Sequence, residues 1–159
     1  MYLISACLAG VNCKYNGGNN DCAWVREFMK GKDCMLVCPE ALGQLPTPRP
    51  PSELIGGRAI DKNGKDITDN LISGAVKTLE MAEKKAEELG QKIELAILKA
   101  NSPSCGSGKI YDGTFSGVLV EGDGFFAAML KERGIPVLSE QHQAEAEQYK
   151  EKTIQLQED

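Results

Sequence analysis

The chain is nearly without histidine: His142 is the single imidazole in 159 residues. A histidine-rich zinc site and imidazole acid/base catalysis are therefore excluded as leading chemistries, and other groups must move protons. No Cys-x-x-Cys pair occurs, which removes the zinc-ribbon and thioredoxin signatures. Basic residues are outnumbered, 18 Lys and Arg against 23 Asp and Glu, for a formal net charge of -5. Broad nucleic-acid binding needs a basic face, which this balance does not supply. No apolar run approaches the roughly 18 residues of a membrane span. The start, MYLISACLAG, lacks the basic segment of a secretory signal, so a cytoplasmic protein is expected.

Nucleotide fingerprints are also missing. Gly106-Ser107-Gly108-Lys109 resembles a phosphate loop, but the Walker pattern wants Gly where Pro103 stands and Ser or Thr where Ile110 stands. No GxGxxG follows the first apolar run. Nucleotide hydrolysis and NAD chemistry are thereby disfavoured.

What is present is the composition of one ordinary globular domain, 42% hydrophobic and 26% charged, carrying six cysteines. A reducing compartment disfavours disulfides, so six thiols point to metal binding or catalysis.

The residue pattern predicts strands over Tyr2 to Ala6, Cys34 to Val37, Ile93 to Leu98 and Val137 to Ser139. It predicts helices from Asp21 to about Lys30, from Thr68 or Asp69 to Gly90, and from Gly122 to Arg133. Leu71, Ile72, Ala75, Val76, Leu79, Ala82, Ala86 and Leu89 recur at helical spacing in the longest helix. Asn63-Gly64 reads as the turn of a hairpin over Gly57 to Thr68, and 114–121 as a short strand or loop. Pro39 to Pro51 holds five prolines and reads as a stiff pocket wall that continues neither helix nor strand. The order implies a small three-layer α/β sandwich with a mostly parallel, Rossmann-like sheet and a short β-hairpin insertion. Residues 1–140 form the domain, and 141–159 a polar tail read as a solvated helix. No feature of the sequence reports the oligomeric state.

Cys7, Cys38 and Cys105 each follow a predicted strand, in the runs SACLAG, VCPE and SPSCGSG. Strand ends of a parallel sheet share one rim, and ligands bind in the crevice beside it. Three thiolates there can hold a soft metal and leave a further position for substrate. Cys22 and Cys34, inside predicted elements, read as small buried hydrophobes. Cys13 remains open as a fourth ligand, a redox partner or a pocket wall. Glu40 is placed for acid/base work two residues after Cys38. Ser102 and Ser104 are placed to hydrogen-bond a substrate or water. Arg49, Arg58, Lys99 and Lys109 are candidate anion partners, and Gly106 and Ser107 candidate amide donors.

Three blocks, SACLAGVNCKYNGG, VCPEALGQLPTPRPPSEL and ILKANSPSCGSGKIYDGTFSGVLVEGDG, resemble the compact bacterial proteins called domain of unknown function 523. The characterised members of that family are thiouracil desulfidases. The resemblance reaches about residue 140. It implies a 4Fe-4S cluster on three cysteines, matching Cys7, Cys38 and Cys105, with one iron left open. It also implies a thiolated pyrimidine substrate whose sulfur meets that iron, and catalytic roles at Glu40 and Ser102, with Ser104 as the alternative hydroxyl. The expected activity is non-redox, hydrolytic removal of sulfur from thiolated uracil as base, nucleoside or nucleotide. Two other readings fit the residues: a metal-free persulfide carrier or sulfurtransferase using Cys105 or Cys13, and a non-enzymatic, metal-stabilised binding module.

Overall fold

The computed structural model describes residues 1–149. Four strands form a parallel sheet: β1 (Tyr2–Ser5), β2 (Cys34–Val37), β5 (Leu95–Leu98) and β8 (Val137–Ser139), in the order β2-β1-β5-β8. Between β2 and β5 lie a one-turn helix α2 (Pro39–Leu42), the antiparallel pair β3 (Ser52–Ile55) and β4 (Arg58–Asp61), and the long helix α3 (Thr68–Glu88). A second antiparallel pair, β6 (Lys109–Tyr111) and β7 (Leu119–Glu121), and helix α4 (Phe125–Glu132) separate β5 from β8. Helix α1 (Ala23–Met29) joins β1 to β2.

Buried parallel strands read as continuous apolar runs because both faces are covered, and β1 and β5 are buried along their whole length. Their alternating side chains feed two cores. Leu3, Ala96 and Leu98 pack with Ala75, Leu79, Ala82, Phe126 and Leu130 of α3 and α4. Tyr2, Ile4, Leu95 and Ile97 pack with Val25 and Phe28 of α1, and Tyr2 meets Phe28 edge to face at 5.3 Å. The result is the expected three-layer α/β architecture.

Several boundaries differ from the sequence reading, each for a physical reason. Pro39 opens α2 instead of barring it, since proline at a first helical position gives up an amide that has no helical partner there. The hairpin turns at Gly56-Gly57, while Asn63-Gly64 makes a later turn that returns Asp66 beside Ile60. Ile72, Val76 and Leu89 of the α3 stripe face solvent. Asp21 pairs with Arg26 instead of capping α1. Residues 143–149 are helical, yet Ala146 is fully buried and Tyr149 packs on the second core, so this stretch is not simply solvated. The rest of the predicted tail lies outside the described residues.

Two close backbone approaches position the segments at the carboxyl ends of the strands. α2 stands directly on α3: a Cβ at Gly74 would lie 1.9 Å from the Pro39 carbonyl oxygen, and one at Gly43 2.1 Å from that of Asn70. The loop after β5 sits on α4, where the amides of Phe125 and Phe126 donate to the carbonyls of Pro103 and Ser104 at 2.9 Å. Gly124 makes that contact possible, because a Cβ there would meet Ser104 at 2.4 Å. No helix among the described residues is long and apolar enough to cross a membrane.

Candidate active site

From β1 the chain passes to β2 on one side and returns to β5 on the other, so the crevice at their carboxyl ends is a topological switch point. A cavity of about 520 Å³ lies there. Cys7, Cys38 and Cys105 all line it, with Cys13, Glu40, Arg49, Lys99, Ser102 and Ser104.

Each thiol is placed by local structure. Cys7 sits on a single 3-10 turn over Ala6–Ala9, closed by Gly10 at φ 90°. Cys38 immediately precedes α2. Cys105 returns to the rim because Ser102 Oγ accepts its backbone N–H at 2.8 Å, while the Ser5 hydroxyl meets its thiol. Ser5 Oγ also accepts the Lys99 N–H at 2.9 Å, so one serine ties β1, β5 and the Cys105 loop together.

The thiols differ electrostatically. Cys13 is within hydrogen-bonding reach of both Cys7 and Cys38. That bond is the largest influence on each, lowering Cys7 to about 7 and Cys38 to about 6 against the opposing effect of burial. Asn20 assists at Cys7, and the Ala41 amide and Arg49 assist at Cys38. Cys13 is the protonated member and is pushed up by the same two bonds. Burial pushes Cys105, 7% exposed, up, and the Ser5 hydroxyl partly offsets this.

Glu40 is held by Arg49, whose Nη2 donates to Glu40 Oε2 at 2.8 Å and to the Cys13 carbonyl at 2.9 Å. Arg49 Nη1 donates to Thr47 Oγ1 at 2.9 Å. The guanidinium, expected as an anion partner, is thus committed to fixing the carboxylate and the Cys13 turn. Lys99 pairs with Glu140 at 3.0 Å.

Four sequence-predicted residues do not line the cavity: Gly106, Ser107, Lys109 and Arg58. Gly106 is packed against the Ser102 and Lys109 carbonyls, where a Cβ would lie 2.7 and 2.9 Å away, so its role is to let the loop close. Lys109 is exposed. Arg58 is likewise away from the cavity and pairs with Asp66. Cys22 and Cys34 pack on the second core, as their positions inside elements imply. Sequence reasoning missed Ser5, Asn20, Glu53, Tyr111 and Phe115, which line the cavity. The Lys-Ile-Tyr alternation of β6 is a weak signal for Tyr111, and β3, Ser-Glu-Leu-Ile, offers none for Glu53.

The donor set suits a soft metal centre. Four thiols share the cavity, and thiolates select iron–sulfur centres or zinc. Among the described residues no three His, Cys, Asp or Glu side chains converge as ligands of a single ion would; a polynuclear cluster instead spreads its ligands around itself. The buried side-chain polar atoms left without a partner among the described residues are Ser104 Oγ and Arg49 Nε, and both residues line this cavity. Unpaired buried polar atoms of this kind mark a place for a bound group. Fold and cavity together define an α/β protein with a thiol-lined switch-point pocket.

The chain belongs to the 2-thiouracil desulfurase family, whose profile matches residues 2–142. It is 42% identical over 150 residues to the uncharacterized protein YbbK of Bacillus subtilis (strain 168), covering 88% of this chain and 95% of that one. Among solved structures it resembles the [4Fe-4S]-dependent thiouracil desulfidase TudS (DUF523Vcz), with a TM-score of 0.78 and 38% identity. That match covers 91% of this chain and 93% of the other.

Proposed function

We propose that this chain is an iron–sulfur-dependent desulfidase that converts a thiolated uracil and water into uracil and hydrogen sulfide. The observation that carries the reading is the meeting of Cys7, Cys38 and Cys105 in one cavity with Glu40 and Ser102. Family membership and the likeness to a [4Fe-4S]-dependent enzyme support it.

In this reading Cys7, Cys38 and Cys105 hold a 4Fe-4S cluster. When bound, the cluster supplies a soft Lewis acid that polarises a thiocarbonyl. Cys13 stays outside the ligand set, its thiol directed to Cys7 and Cys38. Arg49 occupies Oε2 of Glu40, which leaves Oε1 to take a proton from the water attacking the ring carbon. The same carboxyl then returns that proton to the departing sulfur or to a ring nitrogen, so the reaction needs no electron donor. Ser102 accepts the Cys105 amide and keeps its hydroxyl proton to donate to substrate or water. Ser104 Oγ, buried and unpartnered, is the second hydroxyl available for this. The low Cys7 and Cys38 values favour metal capture near neutral pH, and free thiols of this kind suit the reducing cytoplasm.

The test is anaerobic preparation with iron and sulfide analysis, followed by incubation with 2-thiouracil. About four irons per chain, as one 4Fe-4S cluster requires, with equimolar sulfide and uracil as products, is the expected result. Turnover by iron-free protein would remove the cluster from the reading. A fully loaded protein that releases no sulfide from thiolated uracils, free or as nucleotides, would reject the enzyme assignment.

A further inference from the structure

The cavity lining also includes groups from the two hairpins to which the desulfidase reading gives no task. Tyr111 and Phe115 line the cavity, yet neither ring belongs to any of the three apolar clusters of the core. Phe115 has a φ of 57° and lies between Gly113 at 95° and Gly117 at 79°. Glycine adopts such left-handed backbone freely, whereas a bulky side chain rarely does. A glycine at 115 would make the same turn without crowding, so the ring is kept there against the local backbone preference. Departures of this kind cluster where a ligand is held.

The conformation is imposed from β3. Glu53, 8% exposed, forms no ion pair among the described residues. Its Oε1 accepts the N–H of Gly113 at 3.0 Å and that of Phe115 at 3.1 Å. Asp112 finishes the turn by accepting the Thr114 amide at 2.9 Å and donating its own N–H to the Val118 carbonyl at 3.0 Å. The Gly113 backbone lies so close to β3 that a Cβ would meet Ile55 at 2.8 Å. Two hairpins are thus tied together, and the second contributes two rings to the lining of the cavity that also holds the thiols and Glu40.

We propose that Phe115, with Tyr111 in the same wall, is the surface against which the planar ring of a thiolated pyrimidine lies, and that Glu53 is the positioning residue that fixes Phe115 there. The proposal rests on the desulfidase reading for the identity of the substrate, and adds the residues that select an aromatic ring over other thiocarbonyl compounds. Stacking on an aromatic side chain tolerates different ring substituents, because every base has a π face. The ring is gripped while its sulfur-bearing edge remains free to meet the rim.

The experiment compares 2-thiouracil turnover and uracil inhibition in wild type, Phe115→Gly, Phe115→Tyr, Glu53→Ala and Glu53→Gln. Phe115→Gly suits the backbone and is expected to retain iron, circular dichroism and kcat. Its KM should rise about tenfold or more, with uracil inhibition weakened by the same factor, the scale of one lost stacking contact. Phe115→Tyr should stay near wild type. Glu53→Ala should follow Phe115→Gly in KM, while Glu53→Gln, whose amide oxygen still accepts both amides, should not. If Phe115→Gly does not fold, Phe115→Leu serves for the same measurements. Unchanged KM and uracil inhibition in a variant that turns over would overturn the stacking role alone. If loaded wild type releases no sulfide, the enzyme reading fails separately, and calorimetric uracil binding to wild type and Phe115→Gly still decides the stacking question.

Discussion

The two walls of the cavity are built on different principles. The rim wall is made of strand ends: Cys7, Cys38 and the Lys99–Cys105 segment leave β1, β2 and β5, and the parallel sheet places them together. The hairpin wall is made of two small antiparallel pairs whose position depends on single contacts, Glu53 to Gly113 and Phe115 above all. Topology brings the first together, and local contacts of Ser5, Ser102 and Arg49 complete it. The second is assembled from side chain to backbone bonds, so it can vary in shape while the sheet stays the same. Under the proposed function, bond-breaking belongs to the rim and substrate selection to the hairpins.

The division is tested most severely at Cys38. Cys38→Ser should abolish iron retention and sulfide release together, measured by metal analysis and absorbance, while circular dichroism keeps its α/β signature. Glu40→Gln should retain the cluster and lose on the order of a hundredfold or more in kcat, the usual scale for general acid/base groups. A rise in KM with kcat intact would instead move Glu40 to the recognition side. In cluster-free protein, Cys38 and Cys7 lie below the ordinary thiol value of 9.0, at about 6 and about 7. Their thiolates are therefore present above those values and lost as pH falls through them. Iodoacetamide at pH 7 should label these two about tenfold or more faster than Cys34, which burial pushes up. Reconstitution with iron and sulfide should protect them and leave Cys34 unchanged. The smallest effect on chemistry is expected from Gly74→Ala, whose Cβ would press on the Pro39 carbonyl. It should cost about 1–3 kcal/mol of stability, seen as a lowered Tm, as overpacking does. A modest loss of kcat should accompany it, because α2 carries Glu40.

The same contrast explains which parts of the molecule are legible in its sequence. Buried parallel strands announce themselves as short apolar runs, and Pro39 and the glycines after Cys7 and Cys105 mark their ends, so the rim cysteines were legible. The family resemblance added the identity of the expected cluster, which strand-end cysteines alone do not specify. The hairpin wall was nearly silent. Glu53 lies in a four-residue strand of mixed character, and the β6–β7 turn is a seven-residue loop without a two-residue turn signature. The visible turn signal, Asn63-Gly64, belongs to a neighbouring bend. α2 was hidden because proline marks helix starts as well as stops. Arg49 could be assigned a charge from sequence but not a partner, and its commitment to Glu40 emerges only when 46–51 folds back over α2.

The seat of Cys105 on the first turn of α4 bears on how the protein comes to be made. Cys7 and Cys38 are translated well before Cys105, and the backbone that presents Cys105 is held by Phe125 and Phe126. A nascent chain therefore lacks the seat for Cys105 until Phe125 and Phe126 have been synthesised. Under the proposed function, iron delivered before that point would find only a loose, exchangeable grip, and maturation factors would meet a finished receptacle only once α4 has folded.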